Sequence, residues 1–439
     1  MIMNFLVKKF SSIILSISFL FLIYIFYKSE IVLDGLNRDF YIIFYFISSV
    51  LIFFSIISFF INYKIKEYLI ISGISFLLSL YLFEGYLTFK KPFSKEQFLK
   101  EKIYENQTSK KWDNRTKIRI YQDLKKINNQ IAVYVPKQEF LSKNFNILPL
   151  SGISNSETIY CNDRGYYAVF QSDRYGFNNP DSEWDKKEVE YLLIGDSFVL
   201  GACVNRPYNI SSVLRNISNK PTLNLGYDGN GPLLEYATLK EYINNKVKKV
   251  IWFYYENDFY NLSFELKNEI LLNYLNTPNA TQNLTSKQNE IDILVRKIIK
   301  EKEKKKINKR AIVFFLKLNK TRIILNNYLP ENQQPKNKIS KFEIDKFIKI
   351  LNLTKDLVNK NNSKLYFVYL PEFINYDDTQ YNLVKNIVKE LNIPFLDIHK
   401  EVFEKEKDPL NLFPFKMFGH YNKEGYKRVA EEVYKFTKD

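Results

Sequence analysis

Cysteine and histidine are both scarce, with two of each in 439 residues. The two thiols, Cys161 and Cys203, are too few for a zinc cluster or a disulfide-rich scaffold. Histidine chemistry is confined to His399 and His420. No metal and no cofactor is expected. Zinc-finger, basic-zipper and RNA-recognition patterns are missing too, and so is any internal repeat. The formal charge of +16, from 64 Lys+Arg against 48 Asp+Glu, therefore does not read as a nucleic-acid footprint. The basic residues are spread along a chain rich in Lys, Asn, Ile, Phe and Tyr, as a general compositional bias would spread them. A membrane surface or an acidic glycan suits the excess better than DNA, and no nucleic-acid partner is expected.

Long apolar runs, by contrast, are plentiful at the start. Ser11–Tyr27, Phe40–Ile61 and Tyr68–Phe83 carry no charge, and each approaches or exceeds the length that crosses a bilayer core. Residues 1–90 are thus expected to form a three-span anchor. Lys8 and Lys9 resemble the basic flank of a signal peptide. No small-x-small cleavage site follows, only Tyr27-Lys28-Ser29-Glu30, so the first span is expected to be retained. Lys8, Lys9, Lys64 and Lys66 fall on one side of the spans. The intervening loop sets Lys28 and Arg38 against Glu30, Asp34 and Asp39. The positive-inside rule then puts the N-terminus in the cytoplasm and everything after the third span outside. Lys90 and Lys91 oppose this mildly, an objection that a large translocated domain weakens.

The remaining length allows one or two globular domains with a real core. Residues 91–187 read as a polar, aromatic lead-in, with a strand within Asn128–Pro136 and a hairpin within Thr158–Asn179. Its turn at Ser172–Pro180 reads as a structural turn rather than a substrate-facing loop. From residue 188 to 439 the pattern alternates. Strands are expected at Tyr191–Ile194, Thr222–Leu225, Val250–Tyr254, Lys364–Tyr369 and Pro394–Leu396. Helices are expected at about Pro207–Asn216, Leu233–Ile243, Phe342–Asn359, Tyr381–Leu391 and Lys423–Phe436. Such connections give a parallel sheet with helices on both faces. A helical insertion at about 262–339, near the site mouth or the membrane, contains the charge run Lys300–Lys306 and the apolar Ile312–Leu316. The charge run reads as a solvated helix face.

Four separated stretches bear chemistry. The first apolar strand ends in Gly195-Asp196-Ser197-Phe198, which sets a serine at a strand end where helix N–H groups would face a developing anion. Alone, it is equally an ordinary turn with a capping serine. The second stretch, Gly226–Pro232, is glycine-rich but lacks a Walker lysine and a dinucleotide-type Gly-x-Gly-x-x-Gly. It can aim a backbone N–H at an oxyanion. The third, Tyr255-Glu256-Asn257-Asp258, puts an amide donor at a strand end, with an aspartate that can orient it. His420 follows in a loop before the last helix.

Strand-end Ser, Gly and Asn with a loop His, in that order, resemble the SGNH (GDSL-like) hydrolases over roughly residues 188 to 435. The resemblance implies a flavodoxin-like three-layer α/β/α sandwich with a parallel sheet. It implies Ser197 as nucleophile and His420 as base. The oxyanion hole would be the N–H groups of Ser197 and Gly229 with the Asn257 amide, and Asp196 and Asp258 would be supporting residues. One departure matters: the family's acid stands two or three residues before the histidine, where this chain has Phe418 and Met417. Three readings follow. The favoured one is a Ser–His dyad oriented by a backbone carbonyl. The others are an acid from elsewhere, with Asp397, Asp408 and Glu372 as candidates, and a binding remnant. His399 reads as structural.

Cys161 and Cys203 flank the serine strand in the exported part, where an oxidising compartment would let them pair. Function is expected to be that of a membrane-anchored serine esterase or O-acyltransferase acting on acylated envelope or surface polysaccharide. The setting would be a bacterial cytoplasmic membrane, with the C-terminal domain periplasmic or extracellular. A lipid esterase and a catalytically silent glycan-binding or envelope-assembly protein are the alternatives. Acyl group, acceptor and oligomeric state stay open.

Overall fold

The first ninety residues hold no proline, so nothing interrupts backbone hydrogen bonding along their apolar runs. In the computed structural model they form helices α1 (Ile2–Phe26), α2 (Arg38–Ile57) and α3 (Tyr63–Lys90). All three are long and apolar enough to cross a membrane. Residues 2–32, 35, 38–90, 95–143, 145–304, 308–328, 339–371, 373 and 378–438 are described. The chain divides into two compact units: Met1–Pro92 with Ile307–Asn332, and Phe93–Lys306 with Gln333–Asp439.

In the second unit, the lead-in folds as α4 (Lys95–Thr108), α5 (Lys117–Lys125), β1 (Ile131–Val133), α6 (Lys137–Leu141), β2 (Glu157–Ile159) and β3 (Val169–Gln171). β1 pairs with β2 in parallel and β2 with β3 antiparallel. The turn that follows is structural. Buried Asp173 accepts from Tyr175 N, Phe177 N, Asn179 Nδ2 and Trp184 Nε1, and Asn179 bonds both ways with Asn224.

The main sheet joins β4 (Val189–Ile194), β5 (Thr222–Asn224), β6 (Val247–Tyr255), β7 (Lys364–Leu370) and β8 (Phe395–Asp397) in the order β5-β4-β6-β7-β8. Every pairing is parallel. Strands covered on both faces need apolar residues at successive positions, as in Tyr191-Leu192-Leu193-Ile194. Leu192 and Ile194 enter one core with α9 (Pro232–Tyr242), α15 (Lys341–Lys360) and α16 (Asp378–Glu390). Tyr191 and Leu193 enter the other, with α8 (Ile210–Ser218) and α17 (Lys423–Thr437). α17 offers Tyr426, Val429, Ala430 and Val433, the spacing that puts one stripe of a helix inward. The result is three layers, α/β/α. Because the chain leaves β4 for β5 and then crosses back to β6, strand order reverses between β4 and β6. Ligand crevices form at such a point.

The predicted insertion divides. α10 (Asp258–Glu265), α11 (Glu269–Asn276) and α12 (Gln288–Lys304) stay with the sheet. The described part of the charge run faces the lead-in, not solvent alone: Glu301, Lys302 and Glu303 pair with Lys143, Glu139 and Lys125. Lys305 and Lys306 lie outside the described residues. α13 (Asn308–Leu316) and α14 (Asn319–Tyr328) belong to the first unit. There Tyr81 Oη donates to Leu316 O at 3.1 Å. Glu84, 1% exposed, accepts from Lys320 N, Thr321 N and Thr321 Oγ1. A carboxylate thus satisfies the free N–H groups that open α14.

Candidate active site

β4 ends at Ile194, and the chain turns at Gly195 with no room for a side chain. A Cβ there would lie 2.5 Å from Val199 Cγ2 and 3.0 Å from Phe253 O. Asp196 then accepts from Phe198 N at 2.9 Å and caps a short separate helix, α7 (Ser197–Leu200). Ser197 is therefore the first residue of α7. The expected helix over 207–216, observed as α8, does not carry it.

His420 stands in the loop before α17. Asn422 fixes that loop, accepting from Glu424 N and Gly425 N while its amide donates to Asn411 O. The imidazole packs on Phe198, ring centres 5.2 Å apart. Its Nε2 lies 3.0 Å from Ser197 Oγ and its Nδ1 2.9 Å from Asp163 Oδ2. An ionised carboxylate only accepts, so Nδ1 carries a proton, and in the neutral imidazole Nε2 accepts from the serine hydroxyl. A longer contact of 3.4 Å to Asp196 Oδ2 competes for that hydroxyl proton.

Asp163 corrects the expected dyad: a carboxylate, not a backbone carbonyl, holds the far side of the imidazole. It comes from the lead-in, ahead of the serine in the chain. The β2–β3 hairpin closes with Ala168 N donating to Cys161 O, and Asp163 sits in the loop beyond. A Cys161–Cys203 disulfide ties this loop to the segment after α7, and Asn162 Nδ2 donates to Asp113 O. The three acids proposed from sequence are elsewhere. Asp397 accepts from His399 N and Lys400 N in a turn. Asp408 pairs with Lys416, and Glu372 lies outside the described residues. His399 packs near Phe373 and Phe403.

Gly229 lies in a turn braced against the serine loop, where Tyr227 N donates to Gly195 O at 3.2 Å. Tyr134 Oη donates to Asp228 O at 2.9 Å. The φ of +78° at Gly229 is one that side chains disfavour. Glu265 accepts from Gly231 N, Leu233 N and Leu234 N, capping α9 and fixing the end of this turn. Asn257 ends the β6 side of the crevice. It is exposed and makes no side-chain capping bond to α10, so its amide is available to a ligand. Beside it, buried Asp258 accepts from Tyr255 N and shapes the strand end.

Charge at the site favours an ion pair. Burial works to lower the His420 pKa, but the Asp163 hydrogen bond and the charges of Asp163, Asp228 and Asp196 outweigh it and raise it above 6.5. Burial likewise works to raise Asp163, yet the His420 bond and charge hold it below 3.8. Asp196 is pushed up to about 6, chiefly by burial. Sequence reasoning also passed over Lys117. Its ammonium lies 5.4 and 5.6 Å from the Tyr134 and Tyr160 ring centres, and burial pushes it down to about 8 against the attraction of Asp228 and Asp163. Asp163, Cys203 and His420 bring donor atoms within 4.8 Å of one another. The sulfur is committed to the disulfide and both imidazole nitrogens to hydrogen bonds, a poor donor set for a cation.

No family model matches the chain, and no curated protein matches it. Among solved structures, it is similar to a candidate lipolytic protein of the G-D-S-L family from Desulfitobacterium hafniense DCB-2, with 15% identity and a TM-score of 0.32 over 57% of this chain and 99% of that one. It is also similar to a Lactobacillus plantarum protein, with 10% identity and a TM-score of 0.31 over 57% and 97%. Likenesses this distant say nothing about chemistry, which rests on the side chains themselves.

Proposed function

We propose that this chain is a membrane-anchored serine esterase or O-acyltransferase in which Ser197, His420 and Asp163 form a triad. The hydrogen-bonded line from serine hydroxyl to imidazole to carboxylate carries the reading. In such a line the serine oxygen attacks an ester carbonyl while Nε2 takes its proton. The acyl–oxygen bond then breaks, the alcohol leaves with that proton, and an acyl-serine remains. Water or a sugar hydroxyl, deprotonated by the same imidazole, takes the acyl group and restores the serine. The N–H groups of Ser197 and Gly229 and the Asn257 amide are the proposed donors to the tetrahedral oxyanion. Order and residue types resemble the SGNH hydrolases, with the acid supplied from a different place.

The acyl donor or acceptor is proposed to be an acylated envelope or surface polysaccharide. Three helices apolar and long enough to cross a membrane support an anchor, and the lysine distribution supports a second unit outside the cytoplasm. A disulfide beside the site fits an oxidising compartment. A fluorophosphonate probe tests the nucleophile: covalent label on the Ser197 peptide is expected. Its absence from a folded protein, or label that persists in Ser197→Ala, contradicts the assignment.

A further inference from the structure

A cavity of about 580 Å³ runs along the free edge of β8, between α16 and the last turns of α17. None of Asp163, Ser197, Gly229, Asn257 or His420 lines it. Its charge is lopsided. Lys385, Lys389, Lys400 and Lys435 face Glu401 and Glu432, and both glutamates are already used. Glu432 pairs with Lys435 and Glu401 with Lys405. Lys385, Lys389 and Lys400 have no acidic partner among the described residues. Two of them converge, with the Lys385 and Lys400 ammoniums 5.0 and 5.7 Å from the Tyr381 ring centre. Tyr381 itself is buried in the core, with the half-buried Phe395 beside it at the groove.

Asp397 adds a different kind of group. It is 8% exposed, and its Oδ1 turns back to the amides of His399 and Lys400. Oδ2 is buried with no donor. A carboxylate oxygen left without a donor is costly, so a ligand bringing a hydroxyl relieves it. A bare inorganic anion brings none, and Asp397 would repel it. Lysines for an acid group and an acceptor for a hydroxyl together match a sugar acid.

We propose that the β8 edge groove is a second binding site, for an anionic glycan segment bearing both carboxylates and free ring hydroxyls. The site deepens the acyl-transfer reading by naming its polymer, though binding is measured without turnover. In a parallel sheet, Asp397 and Ser197 leave their strands on the same edge. β8 is three strand spacings from β4, about 14 Å across the sheet.

The test uses the full chain in detergent, carrying Ser197→Ala so that no acyl chemistry intervenes. Fluorescence anisotropy compares labelled oligogalacturonate, its fully methyl-esterified form and poly-glutamate of equal charge. The acidic sugar is expected to bind at least tenfold more tightly than either control. Lys385→Ala with Lys400→Ala is expected to remove that preference. Asp397→Asn is expected to weaken the sugar without weakening poly-glutamate, with circular dichroism reporting an intact fold in each case. Equal binding of poly-glutamate would mean a peptide or a general charge surface and overturns the proposal. So does equal binding of the methyl ester, or of the sugar by folded lysine variants. Fluorophosphonate labelling of Ser197 in the unsubstituted chain reports on the acyl-transfer reading separately.

Discussion

At the scale of single residues, Asp163 decides how His420 behaves. The ion pair favours imidazolium, so the neutral base appears only as pH rises through a value above 6.5. The acid limb of kcat/KM for an activated ester is therefore expected above that value in the parent enzyme. In Asp163→Asn the raising partner is gone and burial remains, so the limb is expected to move down. An unmoved limb would show that Asp163 does not govern the base. Stability follows the same linkage. The His420 contribution is fully present below 6.5 and fades as pH rises through the folded value. The Asp163 contribution is present above 3.8 and fades as pH falls through its depressed value. The sequence showed serine, glycine, asparagine and histidine because each sits in a recognisable strand-end or helix-start context. Asp163 has no such context. It precedes the serine strand in a polar loop, and proximity to His420 is purely tertiary. The only local pointer was Cys161 two residues before it, paired with a cysteine six residues after Ser197.

At the scale of elements, the β2–β3 hairpin is the part that completes the site. Its loop reaches His420 under the constraint of one disulfide and the Asn162–Asp113 bond. Removing the disulfide in Cys161→Ser with Cys203→Ser is expected to lower kcat by about 100-fold, the scale of a misplacement near 1 Å. Because no binding contact is deleted, KM is expected to hold. Steady-state kinetics of the double variant checks this, and an unchanged kcat would mean the loop is held without the link. The element pattern was legible where chemistry is periodic: β4, β6 and β7 as apolar runs, α15 and α17 as amphipathic helices. It was less legible where the chain depends on distant partners. The short α7 owes its existence to Asp196 and to the turn at Gly195, and a propensity reading starts a helix only at about Pro207. The return of α13 and α14 to the first unit rests on tertiary contacts with α3, among them buried Glu84 and the Tyr81–Phe315 ring pair.

For the whole molecule, alternating strands and helices dictate a parallel sheet, and the reversal between β4 and β6 dictates where its crevice lies. Length and apolarity identify three spans; their orientation is a separate matter of charge. Lys8, Lys9, Lys64 and Lys66 are expected to face the cytoplasm, leaving the second unit on the opposite side. Protease added to spheroplasts is then expected to digest the region after residue 95, and protection of that region would reverse the topology.

Single-turnover acylation by p-nitrophenyl acetate puts the proposed triad to its most direct test, with the parent compared with Ser197→Ala, His420→Ala, Asp163→Asn, Asn257→Ala and Asp397→Asn. Ser197→Ala and His420→Ala are expected to lose the burst, since nucleophile and base act as one unit. Asp163→Asn is expected to fall by about 10,000-fold, and Asn257→Ala by about 100- to 1000-fold. Asp397→Asn is expected to acylate like the parent. A folded Asp163→Asn protein that acylates at the parental rate would contradict the triad.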